Sequence, residues 1–336
     1  MSAAPITSFD HVVRLSDQRG MFEHAKGTLA RPEHGYCTDD NARLLVITSR
    51  EPDTDIAQRL GRLALRFVLE AENSDGRMRN RMDSSGRWTD TPGTDDCWGR
   101  ALWGLGEAAV NHTNPTIRRW ALRGFNIGTR QRSVSPRAMA FAALGAADVL
   151  ANDRFHGPAR ALLVDTLDII APLPVGAWRW PEPRLTYANA ALAEAVIAAA
   201  AALDRPADLD RGLEMLAWLL QLETPAGHLS VTGASGRSPG DRTPQFDQQP
   251  IEVAALADAC WRAHCVTGDA AWSVGITAAA AWFNGANDAG LPMHDPASGG
   301  GYDGLHATAV NMNQGAESTL AYISTMQRSR AFAAAA

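Results

Sequence analysis

Two pairs of adjacent aspartates, Asp39-Asp40 and Asp95-Asp96, open apolar helical stretches, and each has an aromatic neighbour, Tyr36 and Trp98. Aspartate caps helix N-termini and complements the positive end of the helix dipole, which accounts for one acid in each pair. The second acid has no such explanation. Two carboxyl groups on neighbouring helix ends could work on a glycosidic bond. One would protonate the leaving oxygen, while the other activates water at a separation of about 6.5–9.5 Å or attacks directly at about 5–5.5 Å. Asp96 is expected as the acid and Asp40 as the base, with plain helix capping as the rival reading.

Further acids could share this work. Glu252 and Glu317 each lie about one turn into a helix, and Asp303 follows three glycines in Gly299-Gly300-Gly301-Tyr302-Asp303. That loop reads as one whose backbone approaches something closely and aims Tyr302 and Asp303 inward. The catalytic candidates are therefore Asp40, Asp96, Asp303 and Glu317. Sugars present apolar C–H faces and many hydroxyls, which suit aromatic rings beside amides and charges. Tyr36, Asp39, Asp95, Trp98, Arg137, Trp180, Tyr187, Asn189, Gln249, Glu252, Tyr302 and Gln314 supply that mix and are the candidate binding residues. Arg137 begins a helix, where a cation opposes the dipole, so it needs an anionic partner. His24 or Tyr187 could instead act as the base of an epimerase or lyase.

Helices must position these groups. Periodicity and turn chemistry predict helices near 39–50, 54–72, 95–112, 115–129, 135–151, 155–171, 187–204, 207–222, 249–267, 270–284 and 312–328, with a twelfth near 7–16. Short turns such as Glu51-Pro52-Asp53 and His112-Thr113-Asn114 join them in pairs. Long Gly-, Pro- and Trp-rich segments separate the pairs, and 74–93 and 223–245 read as small hairpins. Asp40, Asp96, Arg137, Asn189, Gln249 and Gln314 mark successive pairs at steps of 56, 41, 52, 60 and 65 residues. Irregular steps with long loops on one side fit a closed all-α ring, an (α/α)6 toroid, better than an open solenoid. No Pro/Ser-rich linker divides residues 1–336, so one domain is expected. Inner-helix N-termini would gather at one rim.

Composition narrows the partners. The net charge of −6 lies along the chain without a basic stripe, which argues against nucleic acid. No apolar run reaches about 20 residues, so no membrane span is expected. Met1 to Ser8 lack signal-peptide features, and Cys37, Cys97, Cys260 and Cys265 form no metal or disulfide pattern. A cytoplasmic protein without metal or cofactor is the expectation.

Gly35-Tyr36-Cys37-Thr38-Asp39-Asp40-Asn41-Ala42-Arg43, Asp95-Asp96-Cys97-Trp98-Gly99-Arg100 and Asn313-Gln314-Gly315-Ala316-Glu317 resemble segments of the six-hairpin glycosidase-like superfamily. In particular they resemble a bacterial domain associated with glycosyltransferase-like proteins. The resemblance implies catalytic acids at the inner-helix rim, an oligosaccharide or glycan substrate and a glycosyltransferase encoded nearby as a partner. A glycoside hydrolase or phosphorylase is the leading expectation. A sugar epimerase or polysaccharide lyase of the same fold, or a glycan-binding module without catalysis, are the alternatives.

Overall fold

The computed structural model describes residues 8–335, and among these it forms twelve α-helices. They are α1 (Asp10–Arg14), α2 (Thr38–Ser49), α3 (Asp55–Ala71), α4 (Asp96–Asn111), α5 (Pro115–Gly128), α6 (Pro136–Asn152), α7 (Gly157–Ile169), α8 (Asn189–Ala202), α9 (Pro206–Leu222), α10 (Pro250–Thr267), α11 (Ser273–Phe283) and α12 (Ala316–Ala335). The even-numbered helices make an inner ring. Each packs on the next, and α12 returns to α2. From α3 to α11 the odd-numbered helices lie outside, each against the inner helix before it. The sixth outer place is taken from the other end of the chain. There α1 packs on α12, and the His11 ring nitrogen Nε2 lies 2.8 Å from the Gln314 carbonyl oxygen. The expected (α/α)6 toroid is what forms.

Side-chain pattern decides which helix goes where. In α8 twelve of fourteen residues are buried, because the helix is apolar all round and neighbours surround it. In α3 eight of seventeen are buried, at the i, i+3, i+4 spacing of one apolar stripe. Small residues let inner helices touch. A Cβ on Gly106 of α4 would lie 2.4 Å from the Gly145 Cα of α6, and one on Gly145 would lie 2.2 Å from the Leu102 carbonyl oxygen. Side chains of Thr54, Asn114, Ser135 and His156 accept from backbone N–H groups to start α3, α5, α6 and α7.

The long segments cover the rim at the N-terminal ends of the inner helices. β1 (Ala25–Lys26) pairs with β2 (Leu29–Ala30), and β3 (Tyr36–Cys37) pairs antiparallel with β4 (Arg81–Met82) in the register Tyr36–Met82. The expected hairpin in 74–93 is present as bridges from Met78 to Gly93 and from Met82 to Trp88. Its pairing with β3 holds Asn80 against the start of α2. Segment 223–245 differs from expectation: it bridges outward, Arg237 to Leu185 and Gly233 to Gln248. β5 (His294–Asp295) pairs with β6 (Gly300–Gly301), and β7 (Gly304–Leu305) pairs with β8 (Val310–Asn311). The close approach expected of this glycine run is real, and what Gly300 and Gly301 approach is the lead into α12 and its first turn. A Cβ on Gly300 would meet the Gln314 side chain at 2.1 Å, and one on Gly301 would meet the Ser318 carbonyl oxygen at 2.3 Å. α12 starts later than expected because Asp303 caps it, accepting from Gly315 N–H at 2.8 Å and from Ser318 Oγ at 2.5 Å. None of these helices is long and apolar enough to cross a membrane.

Candidate active site at the inner-helix rim

The start of α2 answers the capping question. Its N-cap is Cys37, whose sulfur accepts from Asp40 N–H at 3.4 Å, so neither Asp39 nor Asp40 caps the helix. At α4 the N-cap is Asp95, but its side chain bonds no helix N–H group and is exposed. Both Asp pairs therefore exceed what capping uses.

Asp39 and Asp40 open onto a cleft of about 360 Å³, lined also by Glu23, His24, Cys37, Arg43, Arg81, Arg100, Asp247, Gln249, Asp303, Asn311 and Glu317. Arginines pair its acids. Arg43 donates to Asp40 Oδ1 and to Glu317 Oε2, each at 2.6 Å, tying α2 to α12 across the closing seam of the ring. Arg100 of α4 donates to Asp39 at 3.1 Å, and Arg81 of β4 donates to Glu23. These short contacts are charge-assisted hydrogen bonds, the stronger kind.

Their hydrogen-bonding partners separate the two neighbouring acids electrically. Asp40 is 2 % exposed; loss of water pushes its carboxyl up to about 6, against the pull of Arg43, and the Glu317 charge pushes the same way. Asp39 is also drawn out of water. Arg100 and Arg43 outweigh that, and the Asn80 amide donates to it at 2.9 Å, so it lies below the usual range. One member of the pair thus holds its proton toward neutral pH while the other gives it up. The Cys37 thiol, pushed up by burial and by Asp40, stays protonated and donates to Asp40 Oδ2 at 3.0 Å. Glu23, Cys37 and Asp40 bring three potential metal ligands within 4.8 Å of one another. Arg81 and Arg43 already neutralise the two carboxylates, and the thiol is not a thiolate, so this donor set suits a cation poorly.

The other expected residues divide between rim and framework. Asp303, Glu317, Gln249 and Asp39 reach the cleft together with Asp40. Asp96 does not line it; its carboxylate accepts from Tyr187 Oη at 2.8 Å and lies 3.8 Å from Arg100. Tyr187 is 43 % exposed and is the rim aromatic. Trp98 and Trp180, expected as sugar platforms, are fully buried instead. Trp98 donates to the Gly128 carbonyl oxygen, and Trp180 packs beside Trp218. Tyr36 is buried too, donating to Asp17 at 2.8 Å. Arg137 finds its anion within the protein, a two-pronged pair with Glu182 at 2.6 and 2.8 Å, and also donates to Asn189. Glu252, expected to bind substrate, caps α8 by accepting from the Ala188 and Asn189 N–H groups; burial, reinforced by Glu223, pushes it up to about 7. Gln314 bonds Ser298 and Asp295, and Tyr302 is half-buried in the loop after β6.

Sequence reasoning missed Arg43, Arg100, Arg81, Glu23 and Asp247 as site residues. Two were within reach. Arg43 follows Asp39, and Arg100 follows Asp96, by the same four residues, one helical turn. Glu23 and Asp247 come from loops and Arg81 from a two-residue strand, whose placement no periodicity encodes.

Fold and rim together define an (α/α)6 toroid with an acid-rich cleft at the N-terminal ends of its inner helices. Solved structures of the same architecture cover nearly the whole chain. A sugar epimerase from a ruminal bacterium matches with a TM-score of 0.69 and 13% identity over 96% of this chain and 95% of its own. A D-mannose isomerase matches with 0.69 and 10% identity over 96% and 95%. A glycoside hydrolase family 9 endoglucanase matches with 0.59 and 13% identity over 93% and 74%. No protein-family model matches the chain, and no curated protein sequence matches it.

Proposed function

We propose that this protein is a carbohydrate-active enzyme that hydrolyses a glycosidic bond in the rim cleft, with Asp40 giving the proton to the leaving oxygen. The observation that carries this reading is the Asp40–Arg43–Glu317 bridge. One guanidinium donates to both carboxyl groups at 2.6 Å and so fixes the Asp40 carboxyl at the cleft wall, where a glycosidase holds its acid. Asp40, at about 6, is poised to hold a proton for donation, while Asp39 beside it is not. The similar structures named as an endoglucanase, an epimerase and an isomerase agree with a sugar as the ligand class. Hydrolysis is favoured over phosphorolysis by charge. The cleft holds six acids, Glu23, Asp39, Asp40, Asp247, Asp303 and Glu317, and its three arginines are all paired. A phosphate nucleophile would meet repulsion there.

A second reading, sugar epimerisation, has one observation in its favour. His24 lines the same cleft, with its Nδ1 3.8 Å from Glu23 and 3.1 Å from His34 Nδ1, and a histidine can move a proton beside a sugar carbonyl. Incubation with a mixed oligosaccharide pool in heavy water separates the readings. New reducing ends without carbon-bound deuterium are expected. Deuterium in saccharides of unchanged length would replace hydrolysis with epimerisation, and binding with neither change would point to a glycan-binding module.

A further inference from the structure

Five of the six cleft acids are engaged by the protein itself. Glu23 accepts from Arg81, Asp39 from Arg100 and Asn80, Asp40 from Arg43 and Cys37, Asp303 from Gly315 and Ser318, and Glu317 from Arg43. Asp247 differs. Among the described residues no amide or side chain hydrogen-bonds its carboxyl oxygens, and Oδ1 is shielded from solvent without a partner. The His306 ring lies beside it, with Nδ1 3.9 Å from Oδ1.

The backbone is built to hold this carboxyl in place. The Asp247 carbonyl oxygen accepts from Ala234 N–H at 2.7 Å, and the next residue, Gln248, exchanges two backbone bonds with Leu305 at 3.0 and 2.9 Å. That ladder brings Gly304 flat against the carboxyl group. A Cβ on Gly304 would lie 2.5 Å from Oδ1 and 2.6 Å from Oδ2, so only glycine leaves the carboxyl its room. An acid clamped through its main chain, lining the cleft with neither carboxyl oxygen hydrogen-bonded by the protein, has the form of a group that handles water rather than one that braces the fold.

We infer that Asp247 is the catalytic base of the hydrolysis proposed above, the residue that activates the attacking water opposite Asp40; the inference rests on that reading. Asp247 takes a proton from water as the water oxygen bonds to the anomeric carbon. Asp40 gives its proton to the leaving oxygen as the old C–O bond breaks. The products are a hemiacetal and an alcohol, and solvent returns both carboxyls to their starting states. Partial burial raises the Asp247 carboxyl, with His306 opposing and Asp303 assisting, which strengthens it as a base. The two acids come from α2 and from the lead into α10, which are not neighbours, because α12 stands between them. A base that activates water for direct attack calls for inversion at the anomeric carbon.

A panel of 2,4-dinitrophenyl glycosides, whose leaving group needs no acid, tests the assignment. Asp247→Ala should lower kcat at least 100-fold on whichever glycoside the intact protein cleaves. Sodium azide should restore turnover and yield a glycosyl azide of inverted configuration, a result that a bracing residue would not give. Gly304→Ala keeps Asp247 but displaces its carboxyl, and should lower kcat at least tenfold with the melting temperature held within a few degrees. Activity within fivefold in Asp247→Ala, or no azide product from an inactive but folded variant, overturns the inference and leaves the hydrolase reading standing. Failure of the intact protein to cleave any glycoside or the oligosaccharide pool brings down both.

Discussion

The two ends of the bore use the same chemistry to opposite effect. Below the rim, from the middle of the inner helices to their C-terminal ends, Arg50 bonds Asp258 at 2.9 Å, Glu107 at 3.3 Å and Ser324 at 2.9 Å. Arg328 joins the same aspartate, and Arg262 pairs with Asp148 and approaches Glu194 at 3.6 Å. Three arginines there face four acids, Glu107, Asp148, Glu194 and Asp258, and the acids are nearly or fully withdrawn from solvent. At the rim, three arginines face six acids around an open cleft. Between the two ends the bore is apolar, with Val46, Trp103, Phe141 and Leu320 among its walls. A nearly balanced network closes the floor, whereas the rim keeps acids beyond what its cations neutralise. What marks the functional end is the excess and its access to solvent, since ion pairs are present at both ends.

Asp40→Asn should break the comparison most sharply. It removes the transferable proton but keeps a polar side chain of the same shape, so kcat on oligosaccharides should fall by about 10²–10⁴-fold. Stability should hold. An acid raised to about 6 by burial works against the fold once it ionises, and asparagine never does. Full turnover in a folded Asp40→Asn protein would remove the rim acid from the mechanism. In the unsubstituted enzyme the alkaline limb of kcat/KM should fall near pH 6, where Asp40 loses its proton.

The floor answers to pH through stability instead. Burial, then the Asp258 charge, pushes Glu194 up to about 7, and Arg262 does not fully offset this. A raised carboxyl binds its proton more tightly in the folded state than in the unfolded one. Its contribution is therefore complete below about pH 4.3 and is lost as pH rises through about 7. Glu107 and Asp258, which their arginines hold below the usual range, contribute in the other sense, losing stability as pH falls through their folded values. Glu194→Gln should match the parent's unfolding free energy near pH 4.5 and exceed it at pH 8, by a margin on the order of 2–3 kcal/mol. Catalysis at pH 6 should stay nearly unchanged. A melting curve whose pH slope is the same with and without Glu194 would show that the floor carries no such strain.

The ring and its rim were legible beforehand; the floor network was not, and the difference has a physical reason. The six markers from Asp40 to Gln314 all fall within two residues of an inner-helix start, because capping and turn chemistry are local. The ring followed from loop lengths. Burial of the individual rim aromatics was not legible. Trp98 and Trp180 stand beside polar segments in the chain, yet both rings turn into the core, where indole area is worth most. The partners of Arg137 and Glu252 were equally hidden, since Glu182 and the Ala188 N–H group reach them from other segments. Asp247 carries no signal in the sequence, because nothing local distinguishes a free carboxyl from a bonded one.

Asp96 gives the smallest and most discriminating change. Sequence spacing makes it the equal of Asp40, one acid at each of two neighbouring inner helices. Its surroundings make it different: 21 % exposed, bonded to the Tyr187 hydroxyl and absent from the cleft wall. That hydrogen bond positions the rim aromatic, so Asp96→Asn should act through Tyr187 and raise KM by less than about tenfold, a loss of no more than about 1.4 kcal/mol. Tyr187→Phe should give a similar change, and the double variant should do little more than either alone, because both cut the same contact. A kcat loss in Asp96→Asn as large as that in Asp40→Asn would restore the symmetric reading, with one catalytic acid at each Asp pair. A KM effect shared with Tyr187→Phe would confine the chemistry to the side of the rim where α2, α10 and α12 meet.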